Sequence, residues 1–159
     1  MIASNVENPP HLRTKPSRSA ESSGAPHTTS RAYGILAVDD EEGVRDLLNT
    51  SLRRDGFAVW VAANGEEALG LYWHHGQDID VVLMDVRTPG LDGPQTLAAL
   101  QVLNPRIRCC FMSGDLGSYT EEGLRSLGAA AVLRKPCRLA EVAQVLGELS
   151  SKAALVQEA

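Results

Sequence analysis

The chain reads Ile35-Leu36-Ala37-Val38-Asp39-Asp40-Glu41-Glu42 in one place and Val81-Val82-Leu83-Met84-Asp85 in another. Both apolar runs are too short for helical periodicity and show no polar alternation, which is typical of strands buried on both faces of a parallel sheet. In such sheets the ligand site lies beyond the carboxyl ends of the strands. Asp39, Asp40 and Asp85 are therefore predicted to lie close together, where their mutual repulsion favours a bound divalent cation.

Strands and helices are predicted to alternate on both sides of these runs. Hydrophobic spacing predicts helices over residues 41–54, 65–75, 94–103, 119–127 and 138–150. Short apolar runs predict strands over residues 34–38, 57–62, 80–84, 107–112 and 130–133. Such βα units predict an α/β fold with a doubly wound, five-stranded parallel sheet and five helices. The inward face of the first helix is predicted to hold Val44, Leu47, Leu48, Ser51 and Leu52.

The length of 159 residues and the hydrophobic fraction of 43% suit one folded domain. Residues 1–32 are rich in Ser, Pro and Thr and predict a disordered N-terminal tail. Residues 33–150 make up the predicted domain, and residues 151–159 a short C-terminal tail. Because so few residues follow the domain, the sequence predicts a stand-alone unit with no output domain of its own.

Charge and cysteine content limit the functional classes. Outside the tail the chain has 11 basic and 18 acidic side chains, a net charge of −7 that argues against nucleic-acid binding. The sequence shows neither a signal peptide nor a transmembrane stretch, which predicts a cytoplasmic protein without a membrane partner. The three cysteines are an odd number, and the neighbouring Cys109 and Cys110 are expected on opposite faces of the sheet. Buried small side chains are expected rather than disulfides.

Five motifs together resemble the receiver domain of two-component response regulators over about residues 33–150. Each motif is weak alone, but their common order, each at the carboxyl end of a strand or just after it, is very specific. The motifs are Asp39-Asp40, Asp85, the Pro89 and Leu91-Asp92-Gly93 turn, Ser113-Gly114, and Lys135-Pro136 after Gly128-Ala129-Ala130. The resemblance implies a flavodoxin-like fold with strand order 2-1-3-4-5.

The same residues suit aspartyl phosphorylation. A carboxylate can attack a phosphoryl group to form an acyl phosphate, and the charge of the transition state requires cations and donors around it. Asp85, on the central strand, is the predicted phosphoacceptor. Lys135 is expected to donate to one phosphoryl oxygen and Ser113 to another.

Magnesium is the expected cofactor, since it prefers one or two carboxylates together with waters and phosphate oxygens. The resemblance implies a metal site formed by Asp39, Asp40, Asp85 and the main-chain carbonyl of Arg87. In it Asp40 binds the ion directly, and Asp39 binds through a water. It also implies a cis peptide bond before Pro136.

The resemblance further implies the partners. The phosphoryl donor would be a histidine kinase or a histidine phosphotransfer protein, and the output would be docking on an unknown downstream protein. The chain is therefore expected to be a signalling module in a two-component system or phosphorelay, and not an enzyme.

Each site residue also has a simpler explanation. Asp39 and Asp40 can cap the helix that follows them or favour its positive end. Lys135 can be a solvated surface lysine, and Ser113 an ordinary turn serine. Helix capping alone, however, gives no reason for Asp85 to stand opposite the acidic pair.

Other functions compete with phosphoacceptance. A phosphatase with an aspartate nucleophile needs a second aspartate two residues on, where this chain has Arg87. A nucleotide-binding protein needs a glycine-rich phosphate loop after the first strand, where the acidic residues 39–42 would repel phosphate. A receiver-like module that binds partners without phosphorylation is an open alternative.

The chain departs from the family at Val132. Receivers commonly carry Tyr or Phe three residues before the lysine, and that ring turns inward when the Ser or Thr hydroxyl moves toward the phosphoryl group. Val132 is stiff at its first torsion and too short for this role. The signal is therefore expected to travel through Ser113 and the loop over residues 114–119, whose glycines permit backbone rearrangement.

Overall fold

The computed structural model describes residues 31–157. Its strands are β1 (Gly34–Val38), β2 (Ala58–Ala62), β3 (Val81–Met84), β4 (Arg108–Ser113) and β5 (Ala129–Arg134). Its helices are α1 (Glu42–Arg54), α2 (Gly65–His75), α3 (Gly93–Leu103), α4 (Glu121–Ser126) and α5 (Leu139–Gln157). All strand pairs are parallel and follow the order β2-β1-β3-β4-β5, which confirms the predicted doubly wound sheet.

Helices cover both faces of the sheet because the strands alternate two sets of apolar side chains. Leu36 and Val38 of β1 join the core under α2, α3 and α4, whereas Ile35 and Ala37 join the core under α1 and α5. The neighbouring cysteines of β4 are divided in the same way and are both buried, as the sequence predicts. Within residues 31–157, no helix combines the length and the apolarity that crossing a membrane requires.

The packing of α1 corrects one sequence prediction. Leu48 and Leu52 are buried against the sheet, but Leu47 is 53% exposed. Adjacent positions of a helix point about 100° apart, so Leu47 lies at the border of the apolar face and not at its centre. An exposed leucine at this border is available for contact with another molecule.

The end of α5 corrects a second sequence prediction. The helix continues to Gln157, so the prediction that it ends at residue 150 is wrong, whereas the assignment of residues 151–159 to a C-terminal tail stays a prediction. This segment has neither glycine nor proline, and its Ala153 is buried one turn beyond the buried Leu149. The apolar face of the helix therefore extends past the predicted end and stabilises the additional turns.

The N-terminal boundary is also corrected by an ion pair. The predicted disordered tail falls almost entirely on residues 1–30, which lie outside the described residues, so that prediction stays untested. The sequence predicts that Arg31 belongs to the tail. Its guanidinium nevertheless donates to both carboxylate oxygens of Asp80 at 2.8 and 2.9 Å. The Asp80 side chain is 1% exposed and also accepts the Gly34 amide at 2.8 Å. Arg31 therefore belongs to the domain, because it compensates a buried carboxylate.

We expect Arg31→Met to lower the free energy of unfolding by about 1–2 kcal/mol. The loss falls short of the roughly 3–5 kcal/mol typical of a fully buried pair, because water reaches the arginine end. Urea unfolding measures the change, with the exposed Arg54→Met as the matched control. If Arg31→Met loses no more stability than Arg54→Met, the ion pair does not anchor this boundary.

Candidate functional site

Three carboxylates converge at the carboxyl edge of the sheet. Asp39 and Asp40 follow β1, and Asp85 follows β3, the strand that pairs with β1. One oxygen from each carboxylate lies within 4.8 Å of the others. Asp39 is buried, Asp85 is half-buried and Asp40 is exposed. The structure thus brings together the acidic residues that the sequence placed at one edge.

Lys135 contacts two of these carboxylates at once. It follows β5, and its Nζ donates to Asp39 Oδ2 at 2.9 Å and to Asp85 Oδ2 at 3.2 Å. Burial alone lowers the pKa of this lysine, but its hydrogen bonds and charge attraction with Asp39 and Asp85 outweigh that effect, so the pKa lies above its usual value. The ammonium is therefore charged at neutral pH. The peptide bond from Lys135 to Pro136 is cis, as the resemblance implies.

Main-chain contacts fix the acidic turn after β1. Asp39 Oδ1 accepts the Glu41 amide at 2.9 Å, and the Arg45 guanidinium donates to the Asp39 carbonyl at 2.8 Å. The N-cap of α1 is Glu41, whose own side chain makes no capping bond. Asp39 therefore combines a local turn contact with its ion pair to Lys135, and capping is only a part of its role. Arg45 was not predicted from the sequence, although a basic residue in the first turns of α1, beside an acidic pair, was a usable signal.

Ser113 is placed differently from the expectation of a free donor. Its buried hydroxyl donates to the Asp115 carbonyl at 2.7 Å and accepts the Asp115 amide at 3.3 Å. In this conformation the hydroxyl is engaged by the loop between β4 and α4, which is the simpler turn role. Its role as a donor to a phosphoryl group stays a prediction.

Arg87 connects the site to the same loop. Its amide donates to Asp85 Oδ1 at 3.1 Å, and its guanidinium donates to Asp115 Oδ2 at 2.7 Å in an exposed ion pair. A hydrogen bond from the Gly117 amide and the nearby Arg87 charge hold the pKa of Asp115 below its usual value. The role of the Arg87 carbonyl as a metal ligand stays a prediction. The Arg87–Asp115 ion pair was not predicted from the sequence, although the two residues have opposite charges and follow the neighbouring strands β3 and β4.

An apolar groove of about 490 Å³ lies beside the charged site. It runs between α1 and the start of α5, and Lys135 and Pro136 are among the residues that line it. The exposed Leu47 also lines it. The remaining lining is almost wholly apolar: Val44, Leu48, Met112, Cys137, Leu139 and Val142. A protein surface that docks here would meet apolar side chains on one side and Lys135 on the other.

The arrangement has two chemical capacities. Carboxylates this close together repel each other, and Lys135 offsets only part of that charge, so a hard divalent cation would stabilise the cluster. The half-buried Asp85 lies among these charges, next to an ammonium that suits a phosphoryl oxygen. The donor set of oxygens around it fits magnesium better than a soft metal.

Comparison with known proteins assigns a family to this arrangement. A family model described as the response regulator receiver domain matches residues 35–147. The chain is 36% identical over 110 residues to the sporulation initiation phosphotransferase F of Bacillus subtilis, with 68% of this chain and 86% of that protein covered. It is also 36% identical over 122 residues to the sensor kinase CckA of Brucella abortus, which covers 74% of this chain but only 12% of the kinase.

A solved structure agrees with the fold. The complex of CheX, CheY, BeF3 and Mg2+ from Borrelia burgdorferi has a chain that superposes with a TM-score of 0.70 at 27% identity. The match covers 76% of this chain and 91% of that chain. The fold of this chain is thus shared with a solved structure.

Magnesium is expected to stabilise the protein through the acidic cluster. At a concentration roughly ten times Kd, mass action should raise Tm by about 3–6 °C in the wild type. In Asp40→Ala the rise should be less than about a third as large, because a ligand is lost. Thermal melts with and without magnesium measure both values, with the exposed Asp55→Ala as the matched control. Equal rises in Asp40→Ala and Asp55→Ala would show that Asp40 does not bind the ion.

Proposed function

The chain belongs to the family of response regulator receiver domains, and on this premise we propose that it accepts a phosphoryl group on Asp85 in a magnesium-dependent reaction. The donor would be a histidine kinase or a histidine phosphotransfer protein, and the signal would pass to a downstream protein by contact. The observation that carries the proposal is the convergence of Asp39, Asp40 and Asp85 around the Lys135 ammonium.

Exposure favours Asp85 over the buried Asp39 as the nucleophile, and its place at the end of the central strand favours it over the exposed Asp40. The Asp39 side chain is 1% exposed and is occupied by Lys135 and the Glu41 amide. The Asp85 side chain is 13% exposed and follows β3, the central strand of the sheet. A lone pair on its carboxylate would attack the phosphorus of a phosphohistidine. The phosphorus–nitrogen bond then breaks, its electrons go to the imidazole nitrogen, and an acyl phosphate forms on Asp85.

Asp39, Asp40, Asp85 and the Arg87 carbonyl are the groups we assign to a magnesium ion. When bound, the ion would offset the negative charge that the phosphoryl group brings to an already acidic site. The same residues repel each other without it, so the site is suited to a cation before any donor arrives. Asp39 would keep its contact with the Glu41 amide, which fixes its orientation.

Lys135 and Ser113 are the proposed donors to the phosphoryl oxygens. Lys135 already contacts the acceptor carboxylate, so its ammonium needs only to exchange a carboxylate oxygen for a phosphoryl oxygen. Ser113 must first leave the Asp115 carbonyl, because its hydroxyl is engaged there. Phosphorylation would therefore begin with Lys135 in place and would draw in Ser113 afterwards.

The apolar groove supports a protein as the phosphoryl donor. A donor that presents its phosphohistidine on a helix could place apolar side chains over α1 while the imidazole faces Asp85. The exposed Leu47 lies on the docking face of this groove, and Lys135 lies at its charged side. The phosphotransferase and the sensor kinase named among the relatives support a partner of this class.

We expect one acid-stable, hydroxylamine-labile phosphate on Asp85 after incubation with a small phosphodonor and magnesium. Asp85→Asn should abolish it without loss of the fold, because the amide cannot form an acyl phosphate. Intact-mass analysis detects the added phosphate, and circular dichroism checks the fold. The exposed Asp55→Asn is the matched control. Full phosphorylation of Asp85→Asn would exclude Asp85 as the acceptor. No phosphorylation of the wild type would favour a receiver-like module that binds partners without phosphate.

Leu47→Ala should separate donor docking from chemistry. A histidine kinase that phosphorylates the wild type in a transfer screen should act on this variant about tenfold more slowly, because burying the leucine contributes about 1–2 kcal/mol to docking. A small phosphodonor, which needs no docking, should phosphorylate both at the same rate. The exposed Leu155→Ala controls for loss of a surface leucine elsewhere. Equal transfer from the kinase to Leu47→Ala and wild type would place docking on another surface.

A further inference from the structure

The Ser113 hydroxyl cannot serve the loop and a phosphoryl group at the same time. It has a single proton, which it donates to the Asp115 carbonyl at 2.7 Å. A phosphoryl oxygen on Asp85 would be the stronger acceptor, since a charged acceptor gives a shorter and stronger hydrogen bond than a carbonyl. Recruitment of this hydroxyl therefore removes the shorter of its two hydrogen bonds with Asp115.

Asp115 also depends on Arg87, whose main chain contacts the acceptor. The Asp115 carboxylate accepts the Arg87 guanidinium at 2.7 Å and the Gly117 amide at 2.8 Å. The Arg87 amide donates to Asp85 itself. New negative charge on Asp85 would compete with Asp115 for the guanidinium. Both the hydroxyl and the arginine that hold the first half of the loop thus respond to the state of one carboxylate.

The other end of the loop is attached to α3 by a tyrosine. Tyr119 donates its hydroxyl to Asp92 Oδ2 at 2.8 Å, and this hydrogen bond raises the pKa of the tyrosine. Asp92 is the N-cap of α3 and uses its other oxygen for the Gln95 amide at 2.9 Å. The tyrosine also packs against the core under α3 and α4. The Tyr119–Asp92 hydrogen bond, which we call the loop clasp, therefore connects the loop before α4 to the first turn of α3.

Asp115 and Tyr119 are close in the sequence, so we expect a change in backbone conformation at Asp115 to reach the clasp. The Tyr119 amide donates to the Leu116 carbonyl at 3.0 Å, so residues 116–119 form one turn. Gly117 within it has a φ of +59°, a conformation that glycine adopts without steric cost. Leu116 is buried, which resists a simple outward swing of the loop. We therefore expect a rearrangement at Asp115 to be passed through this turn to Tyr119.

We propose that modification of Asp85 releases the loop clasp, so that the surface formed by the loop over 114–119, α4 and the N-terminus of α3 reports the state of the site. The proposal rests on the proposed function and adds the surface on which a downstream protein would recognise the modified form. Strand β5 offers no comparable reporter, since Val132 is stiff and half-buried beside Phe111, its partner in β4. The clasp has a hydrogen bond that can break and an aromatic ring, that of Tyr119, that can move.

Amide chemical shifts measured during titration with beryllofluoride and magnesium test this proposal. Beryllofluoride stands in for the phosphoryl group on Asp85. The amides of Asp85 and Arg87 should shift, and those of Tyr119 and Gln95 should shift with the same apparent affinity. Shifts at Asp85 and Arg87 with Tyr119 and Gln95 unmoved would overturn the clasp alone. If Asp85 and Arg87 do not respond, the proposed function and the clasp both fail.

Tyr119→Phe supplies an independent measurement, because it removes the hydroxyl and keeps the ring. A hydrogen bond made only in the unmodified state opposes modification, so its loss should tighten beryllofluoride binding about 3- to 10-fold. In the absence of beryllofluoride, the Gln95 amide of this variant should already lie part of the way toward its modified position. Tyr33→Phe is the matched control and should bind as the wild type does. Equal affinities in Tyr119→Phe and Tyr33→Phe would overturn the clasp.

Discussion

Repulsion among three carboxylates at one edge of the sheet is the constraint on which this protein depends. The pairing of β1 with β3 brings Asp39, Asp40 and Asp85 within 4.8 Å of each other, and only Lys135 offsets their charge among the contacts of residues 31–157. One ammonium cannot neutralise three carboxylates. The site therefore carries an excess of negative charge, and the cation binding and the reactivity that we propose for it both depend on that excess.

The counter-ions of the site also connect it to its surroundings. Lys135 follows the edge strand β5 and contacts Asp85 at the end of the central strand β3, so a change of charge at Asp85 acts directly on a residue at the end of β5. Arg87 contacts Asp85 through its main chain and Asp115 through its side chain. These contacts give a change of charge at one carboxylate a direct route into the loop before α4. In receiver domains that carry a ring at the position of Val132, strand five supplies a further route.

The fold was largely predictable because its signals are local. Strands buried on both faces appear as short apolar runs, and each α-helix shows its own periodicity. Every strand and α-helix was therefore predicted to within a few residues, except for the end of α5 and the short 3-10 helix Gly76–Asp78. The errors arose where burial depends on a neighbour. Leu47 has the correct spacing but lies at the border of the α1 face, and α5 continues because Ala153 finds a place in the core. Arg31 joins the domain because Asp80 is buried.

The sequence by itself determined which chemical groups meet at the edge of the sheet. Parallel strands all point their carboxyl ends the same way, so residues that follow them must converge. Only the tertiary structure decided which group binds which. Lys135 pairs with Asp39 and Asp85, Ser113 faces Asp115 and Tyr119 faces Asp92. Several of these partners lie 27 to 96 residues apart in the sequence. The sequence alone offers each donor more than one acceptor at this edge of the sheet. Which acceptor a donor contacts depends on differences of a few ångströms in side-chain position, and no pattern in a linear sequence specifies these.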